Sequence, residues 1–228
     1  FLLPALQPRI TECTLFPLSS NDGFIKINQN EFGELTQKAT AVICGMGIGN
    51  VPQTTEAVKY LLTHCNCPLL LDADALNAIS DDENAFFERK CDLTITPHMG
   101  EMSSLTKLNI DYIKQNKIQV AQDFAKKHGI TVLLKDSQSV ITDGNRTAIN
   151  KTGIPAMAKG GSGDLLAGII GGLLARKIKP FDAAAAGAYI AGKSAEEALK
   201  FSNEYSLLPS DSAQCISTVI TQIIKNGK

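Results

Sequence analysis

The ten residues PLLLDADALN, Pro68 to Asn77, set the class of the fold. Leu69, Leu70 and Leu71 follow one another with no polar residue between them. A strand with one wet face alternates polar and apolar residues. A strand apolar throughout is buried on both faces, as in a parallel sheet covered by helices. Three neighbouring runs have the same form: TAVICG (Thr40 to Gly45), DLTIT (Asp92 to Thr96) and ITVLLK (Ile130 to Lys135). Helical segments separate them. TTEAVKYLLTHC (Thr54 to Cys65) is one. DYIKQNKIQVAQDFAKKHG (Asp111 to Gly129) is another, with Ile113, Ile118, Ala121, Phe124 and Ala125 at helical spacing and Gly129 placed as a C-terminal cap. Ser139 to Asn150 reads as a β-hairpin around Asp143-Gly144. Beyond it the pattern predicts helices over Gly163–Lys177, Asp182–Phe201 and Asp211–Lys225. Repeated β-α units, a hairpin and closing helices predict one three-layer α/β/α domain over residues 1–228, with a mainly parallel central sheet.

The chain has 228 residues and a formal net charge of −1, so no bulk electrostatic attraction to nucleic acid or anionic membrane is expected. The longest uncharged apolar run, Leu165 to Ala175, is too short to span a bilayer. The opening FLLPALQPRI lacks a Met, is interrupted by Pro4 and Pro8, and has no basic region of a signal peptide. The expectation is an N-terminally incomplete chain. Six cysteines are scattered, and Cys44 and Cys91 fall in or beside strand-like runs, which predicts buried free thiols in a reducing cytoplasm. His64, Cys65 and Cys67 do not have zinc-ligand spacing, and no second pair follows them.

In an open parallel sheet, ligands bind beyond the carboxyl ends of the strands. GMGIGN, DADALN, TPHMGE and KDSQS each lie just past a predicted strand end, and the glycine loop Gly160-Gly161-Ser162-Gly163 runs into Asp164 and a helix. Glycines bring backbone N–H groups close to a ligand, and a helix start adds free N–H groups and a positive dipole end. Asp164 would repel an anion there unless it accepts a proton from the reacting group. The competing reading is a tight turn with Asp164 as helix N-cap. No Walker A pattern is present. In GMGIGN, Asn50 stands where the dinucleotide fingerprint needs Gly or Ala, which argues against a redox enzyme using intact NAD(P). His98 and Glu101 share one face if a helix begins after Pro97; Glu101 then either orders a Mg²⁺ or serves the helix start. Asp72 and Asp74 either touch metal-bound water or cap the next helix, and Lys135 is either a phosphate contact or a solvated strand end.

Together GMGIG, DADALN, TPHMGE, LLKDSQSVITDG and NKTGIPAMAKGGSGD resemble, in order and over nearly the whole chain, the ADP/ATP-dependent NAD(P)H-hydrate dehydratase family of the ribokinase-like superfamily. The resemblance implies a ribokinase-like fold and a carbon–oxygen lyase. Such an enzyme returns the (6S) hydrates of NADH and NADPH to NAD(P)H, with ADP (converted to AMP and phosphate) or ATP as energy source. It implies Asp164 as the base, with Gly161 and Gly163 stabilising the transferred phosphoryl group. It implies hydrate contacts from Gly47, Gly49, His98, Met99, Gly100, Glu101 and Asp164. Nucleotide contacts are implied from Lys135, Asp136, Ser137, Gln138 and Ser139, and from Ala158, Lys159, Gly160, Gly161, Ser162 and Gly163 within the segment Ile154–Gly163. Glu101 would order Mg²⁺, directly or through water.

Two departures stand out. Asp136 replaces the family's usual glycine after the strand-end lysine, an acid near phosphates unless it turns outward. The family also carries a further N-terminal β-α portion that this chain lacks. The resemblance further implies a homo-oligomer, commonly a tetramer, and in many bacterial relatives an upstream epimerase domain. The alternatives are a small-molecule kinase of the same superfamily, acting on a vitamin precursor, and a non-catalytic nucleotide-binding module.

Overall fold

The computed structural model describes residues 3–8, 10 and 12–227. Phe1, Leu2 and Arg9 of the opening segment lie outside the described residues, as do Thr11 and Lys228. A short helix α1 (Leu3–Leu6) and a small antiparallel pair, β1 (Ser20–Asn21) and β2 (Phe24–Ile25), precede helix α2 (Gln29–Lys38). Then β3 (Val42–Cys44), α3 (Pro52–His64), β4 (Leu69–Leu71), α4 (Asp74–Ala78), β5 (Leu93–Ile95) and α5 (Met99–Thr106) follow in β-α order. Helices α6 (Ile110–Gln115) and α7 (Lys117–His128) lead to β6 (Thr131–Leu134) and the hairpin β7 (Val140–Thr142) and β8 (Thr147–Ile149). Helices α8 (Ser162–Ala175), α9 (Pro180–Ala198) and α10 (Pro209–Asn226) close the chain.

The central sheet has six strands in the order β3-β4-β5-β6-β7-β8. The first four are parallel, in register Val42 with Leu69, Leu69 with Leu93, and Thr94 with Thr131. Strands β7 and β8 add antiparallel pairs. All four predicted parallel strands and the hairpin are present. Leu69, Leu70 and Leu71 have no exposed surface. Leu69 and Leu71 join a core with Leu62, Phe86, Ile95 and Phe124, while Leu70 faces Leu133, Ala167, Ile170 and Ala184 on the other side. The uninterrupted apolar run is thus explained by helices on both faces.

Two expectations need correction. The predicted helix over Asp111–Gly129 is two helices, broken at Asn116 (φ −123°, ψ 27°), where an Asn backbone in a non-helical turn ends the first ladder. Ile118 is consequently exposed, although Gly129 does cap α7 in the left-handed region (φ 60°). Helix α8 buries Ala167, Ile170, Gly171 and Leu174 and leaves Gly168 and Gly172 exposed, because it lies over the outer strand β3. Cys44 and Cys91 are half-buried rather than buried; the fully covered thiols are Cys65 and Cys215. All six cysteines are free, and burial pushes the Cys44 thiol up to about 12.

Candidate active site

The carboxyl ends of β3, β4, β5 and β6 gather the predicted motifs. After β3 the chain turns at Gly45 (φ 135°), where an added Cβ would lie 2.7 Å from the Asp72 carbonyl carbon, so only glycine fits. Asp74 Oδ2 accepts the Gly49 N–H at 2.8 Å and thereby ties the glycine turn to the start of α4. Between the two acids, Ala73 sits at φ 49° and ψ −121°. That is a costly conformation for a residue with a side chain, on the order of 1–3 kcal/mol. It lies between Asp74, which holds the β3 loop, and Asp72, which bonds the end of β6.

Asp72 is buried and its Oδ1 accepts from Lys135 Nζ at 2.7 Å. The two residues end β4 and β6, which are not neighbours in the sheet; the Lys135 side chain crosses the end of β5 to reach its partner. Lys135 N–H donates to the Pro97 carbonyl at 2.8 Å, which seats the lysine beside His98. Glu101, also buried, stands on the other side, with its Oε2 3.8 Å from Lys135 Nζ. Glu101 and His98 form a reciprocal cap on α5. His98 N–H donates to Glu101 Oε2 at 2.7 Å, and His98 Nδ1 accepts the N–H groups of Gly100 (2.9 Å) and Glu101 (3.1 Å). Because Nδ1 accepts, the ring proton sits on Nε2, which lies 3.3 Å from Glu101 Oε1 and belongs to an exposed ring.

The glycine loop closes over this cluster. A Cβ on Gly163 would lie 3.5 Å from Asp72 Oδ2 and 3.7 Å from Lys135 Nζ. Gly161 (φ 88°) turns the chain into α8, and no side chain caps that helix start. Its first-turn N–H groups therefore have no intrahelical partner, and the positive end of the dipole lies beside Asp72 and Lys135. Asp164 is the third helical residue, not the N-cap. It is exposed, and among the described residues its carboxylate takes part in no hydrogen bond or ion pair.

A family model described as NAD(P)H-hydrate dehydratase matches residues 10–219. The chain belongs to the NAD(P)H-hydrate dehydratase family. It is 38% identical over 169 residues to the bifunctional NAD(P)H-hydrate repair enzyme Nnr of Moorella thermoacetica, covering 73% of this chain and 32% of that protein. It is 35% identical over 167 residues to the ADP-dependent (S)-NAD(P)H-hydrate dehydratase of Cenarchaeum symbiosum, covering 73% and 57%. The solved ADP/ATP-dependent NAD(P)H-hydrate dehydratase of Bacillus subtilis, crystallised with ATP and Mg²⁺ and soaked with CoA, superposes with a TM-score of 0.74 at 27% identity. That match covers 84% of this chain and 72% of the other. The fold is ribokinase-like. The chain spans about a third of the length of the bifunctional relatives it matches.

Set against the pattern of this dehydratase family, the predicted residues divide into three groups. Gly163, Lys135, Glu101 and His98 neighbour one another in that order, and Gly49 is held to the adjoining loop through Asp74. Gly47, Met99 and Gly100 flank them on the same strand-end loops, and Ser162 opens α8. The remaining nucleotide candidates lie outward. Ser137 and Gln138 are exposed, and Ser139 Oγ closes a turn with the Asp136 backbone. Asp136 points to Lys117 Nζ at 2.7 Å; against its partial burial, that ammonium and the Ser137 N–H hold its carboxyl below the usual range. Ala158 and Gly160 are exposed, and Lys159 Nζ donates to the Leu207 carbonyl rather than to the loop. The sequence reading missed the Asp72–Lys135 pair. The signal available was an acid and a lysine, each ending an apolar strand, but nothing local says that two non-adjacent strand ends meet.

Proposed function

We propose that this chain dehydrates the (6S) hydrate of NADH or NADPH, using ADP as phosphoryl donor, with ATP as the alternative donor. The observation that carries the proposal is the uncapped N-terminus of α8, with Gly163 set against Lys135. In this reading the nucleotide lies between Lys135–Ser139 and Ile154–Gly163, and its terminal phosphate meets the free N–H groups of the helix start. The hydrate lies against the Gly47–Gly49 turn and His98, whose Nε2–H can donate to it.

Asp164 accepts the proton of the ring hydroxyl as its oxygen attacks the terminal phosphorus. With ADP, the phosphorus–oxygen bond to AMP breaks, and AMP leaves. The phosphorylated carbon then loses phosphate, and loss of a neighbouring ring proton restores the double bond. Hydroxide is a poor leaving group and phosphate a good one, which is why a nucleotide is consumed.

The residues present fit a Mg²⁺ carried in with the phosphates. Asp72, Glu101 and Lys135 together sum to one negative charge, so the nucleotide needs a cation. Among the described residues no group of three or more His, Cys, Asp or Glu side chains forms a cage for a metal. Glu101 Oε2 already accepts from the His98 N–H, so Glu101 is placed to reach such an ion through water by Oε1. A bound Mg²⁺ would neutralise charge on the transferring phosphoryl group. We carry a cytoplasmic, homo-oligomeric, single-domain enzyme as part of the same proposal. Six free cysteines support the reducing compartment, and no described helix is long and apolar enough to cross a membrane.

The test is direct. Protein with hydrated NADH and ADP–Mg²⁺ is expected to restore the NADH absorbance band and release phosphate. Asp164→Asn is expected to abolish that signal while changing ADP affinity only a few-fold, on the order of the effects seen when chemistry and binding separate. Undiminished dehydration by the variant removes Asp164 from the mechanism. A stable phosphorylated product would make the enzyme a kinase instead.

A further inference from the structure

We propose that Asp72 is a positioning residue that aims the Lys135 ammonium at the terminal phosphate of the nucleotide. The inference rests on the nucleotide site proposed above and assigns a task to a residue outside its ligand contacts.

The Lys135 side chain has a flexible stem, and its head is a compact charge that prefers water. It also stands beside the positive end of α8, since a Gly163 Cβ would be only 3.7 Å from Nζ. Two like charges repel, so the lysine would turn away unless something holds it. Asp72 holds it, at 2.7 Å, from behind the end of β5. The Asp72 side chain is 3% exposed and that of Lys135 is 21% exposed, so the carboxylate is sealed and the ammonium keeps an open side. Asp72 therefore acts through Lys135 and not on the ligand. Glu101, at 3.8 Å, is too far to be the principal partner and is engaged in capping α5. A buried carboxylate with no cation would be costly, so the pair is mutually required in the fold. The backbone at Ala73 is strained beside it, as expected where side-chain aim is imposed by surrounding structure.

The experiment measures ADP and adenosine binding by calorimetry for wild type, Asp72→Asn, Lys135→Met and the double variant, each checked for folding by circular dichroism. Either single change is expected to weaken ADP binding about tenfold, within the usual range for coupled side chains, and the double variant is expected to be no weaker than Lys135→Met. Adenosine, which has no phosphate, is expected to bind all four proteins alike. If Asp72→Asn does not fold, Asp72→Glu keeps the charge and moves the ammonium, and is expected to lose ADP affinity with adenosine affinity intact. Unchanged ADP affinity in Asp72→Asn or, where that variant does not fold, in Asp72→Glu overturns the role. So do losses that multiply in the double variant, or a parallel loss of adenosine binding. Wild-type protein that binds ADP but restores no NADH overturns the dehydratase reading and leaves the role of Asp72 standing. Wild-type protein with no affinity for ADP overturns both.

Discussion

The two faces of the sheet are built from different residues. On one, Leu61, Leu62, Phe86, Ile95, Met102 and Phe124 form a core of large side chains beneath α3 to α7. On the other, α8 and α9 bury Ala167, Ala183, Ala184 and Ala188 against Leu70, Leu133 and Ile141. The first face keeps its helices at arm's length by filling the gap. The second lets backbones approach. A Cβ on Gly187 would lie 2.5 Å from Ile170 Cγ1, and one on Gly192 would lie 2.6 Å from the Thr152 carbonyl carbon and 2.7 Å from the Gly153 nitrogen. Large side chains supply apolar burial. Close backbone contact supplies position, and the face that needs position is the one whose helix start points into the site.

The contrast can be broken from either side. Phe86→Ala on the filled face is expected to have the largest effect on stability, about 3–5 kcal/mol by thermal or denaturant unfolding. Phe86 is almost wholly buried and packs edge-on to Phe124, yet lies outside the site, so ADP affinity of the folded protein should hold. Gly192→Ala on the close-packed face is expected to cost less, about 1–3 kcal/mol. Its methyl group meets backbone, which cannot swing aside, and the backbone it meets leads directly into the Ile154–Gly163 segment. It should lower turnover more than stability. Equal loss of activity in the two variants would erase the distinction.

The same contrast governs what could be read from sequence. Burial of large residues leaves a pattern in one dimension: Leu69-Leu70-Leu71 shows a strand covered on both faces, and the spacing of α7 shows the filled one. The hairpin and the glycine loop are legible for a related reason: Asp143-Gly144 and Gly160-Gly161 are local requirements of the backbone. The Asp72–Lys135 pair left no such trace, since it depends on which strand ends come together. Neither did the exact use of α8's glycines. Gly168, Gly171 and Gly172 look alike in sequence, but a Cβ on Gly171 would touch the Ile43 side chain, whereas nothing lies within 4 Å of one on Gly168 or Gly172.

A pH experiment sharpens the picture of the filled face. His128, at the end of α7, is buried among Phe86, Phe87 and Phe124, and neither ring nitrogen has a hydrogen-bond partner among the described residues. Burial pushes its pKa below the ordinary 6.5. Glu83, 3.7 Å from Nε2, opposes that, while Lys127, paired with Glu83, and Arg89 add to it. A histidine whose folded pKa is depressed contributes no penalty above the unfolded value. Below about 6.5 the unfolded chain binds the proton first, so stability falls as pH falls. His128→Phe is expected to flatten that part of the melting-temperature profile; an unchanged slope would place the titrating group elsewhere.

The smallest effect has the opposite sign. Gly168 and Gly172 lie inside α8 on its exposed side, in helical conformation, with open space where a Cβ would go. Glycine there only loosens the unfolded chain and exposes backbone. Gly168→Ala is therefore expected to stabilise the protein by about 0.5–1 kcal/mol. Gly171→Ala, one turn on, gains the same helix propensity but must displace the tip of Ile43, a flexible side chain on the outer strand, so its gain should be smaller or absent. Unfolding midpoints for the two variants measure that difference directly. A Gly168→Ala variant no more stable than Gly171→Ala would mean that both glycines are packing positions, and that close approach extends to the whole circumference of α8.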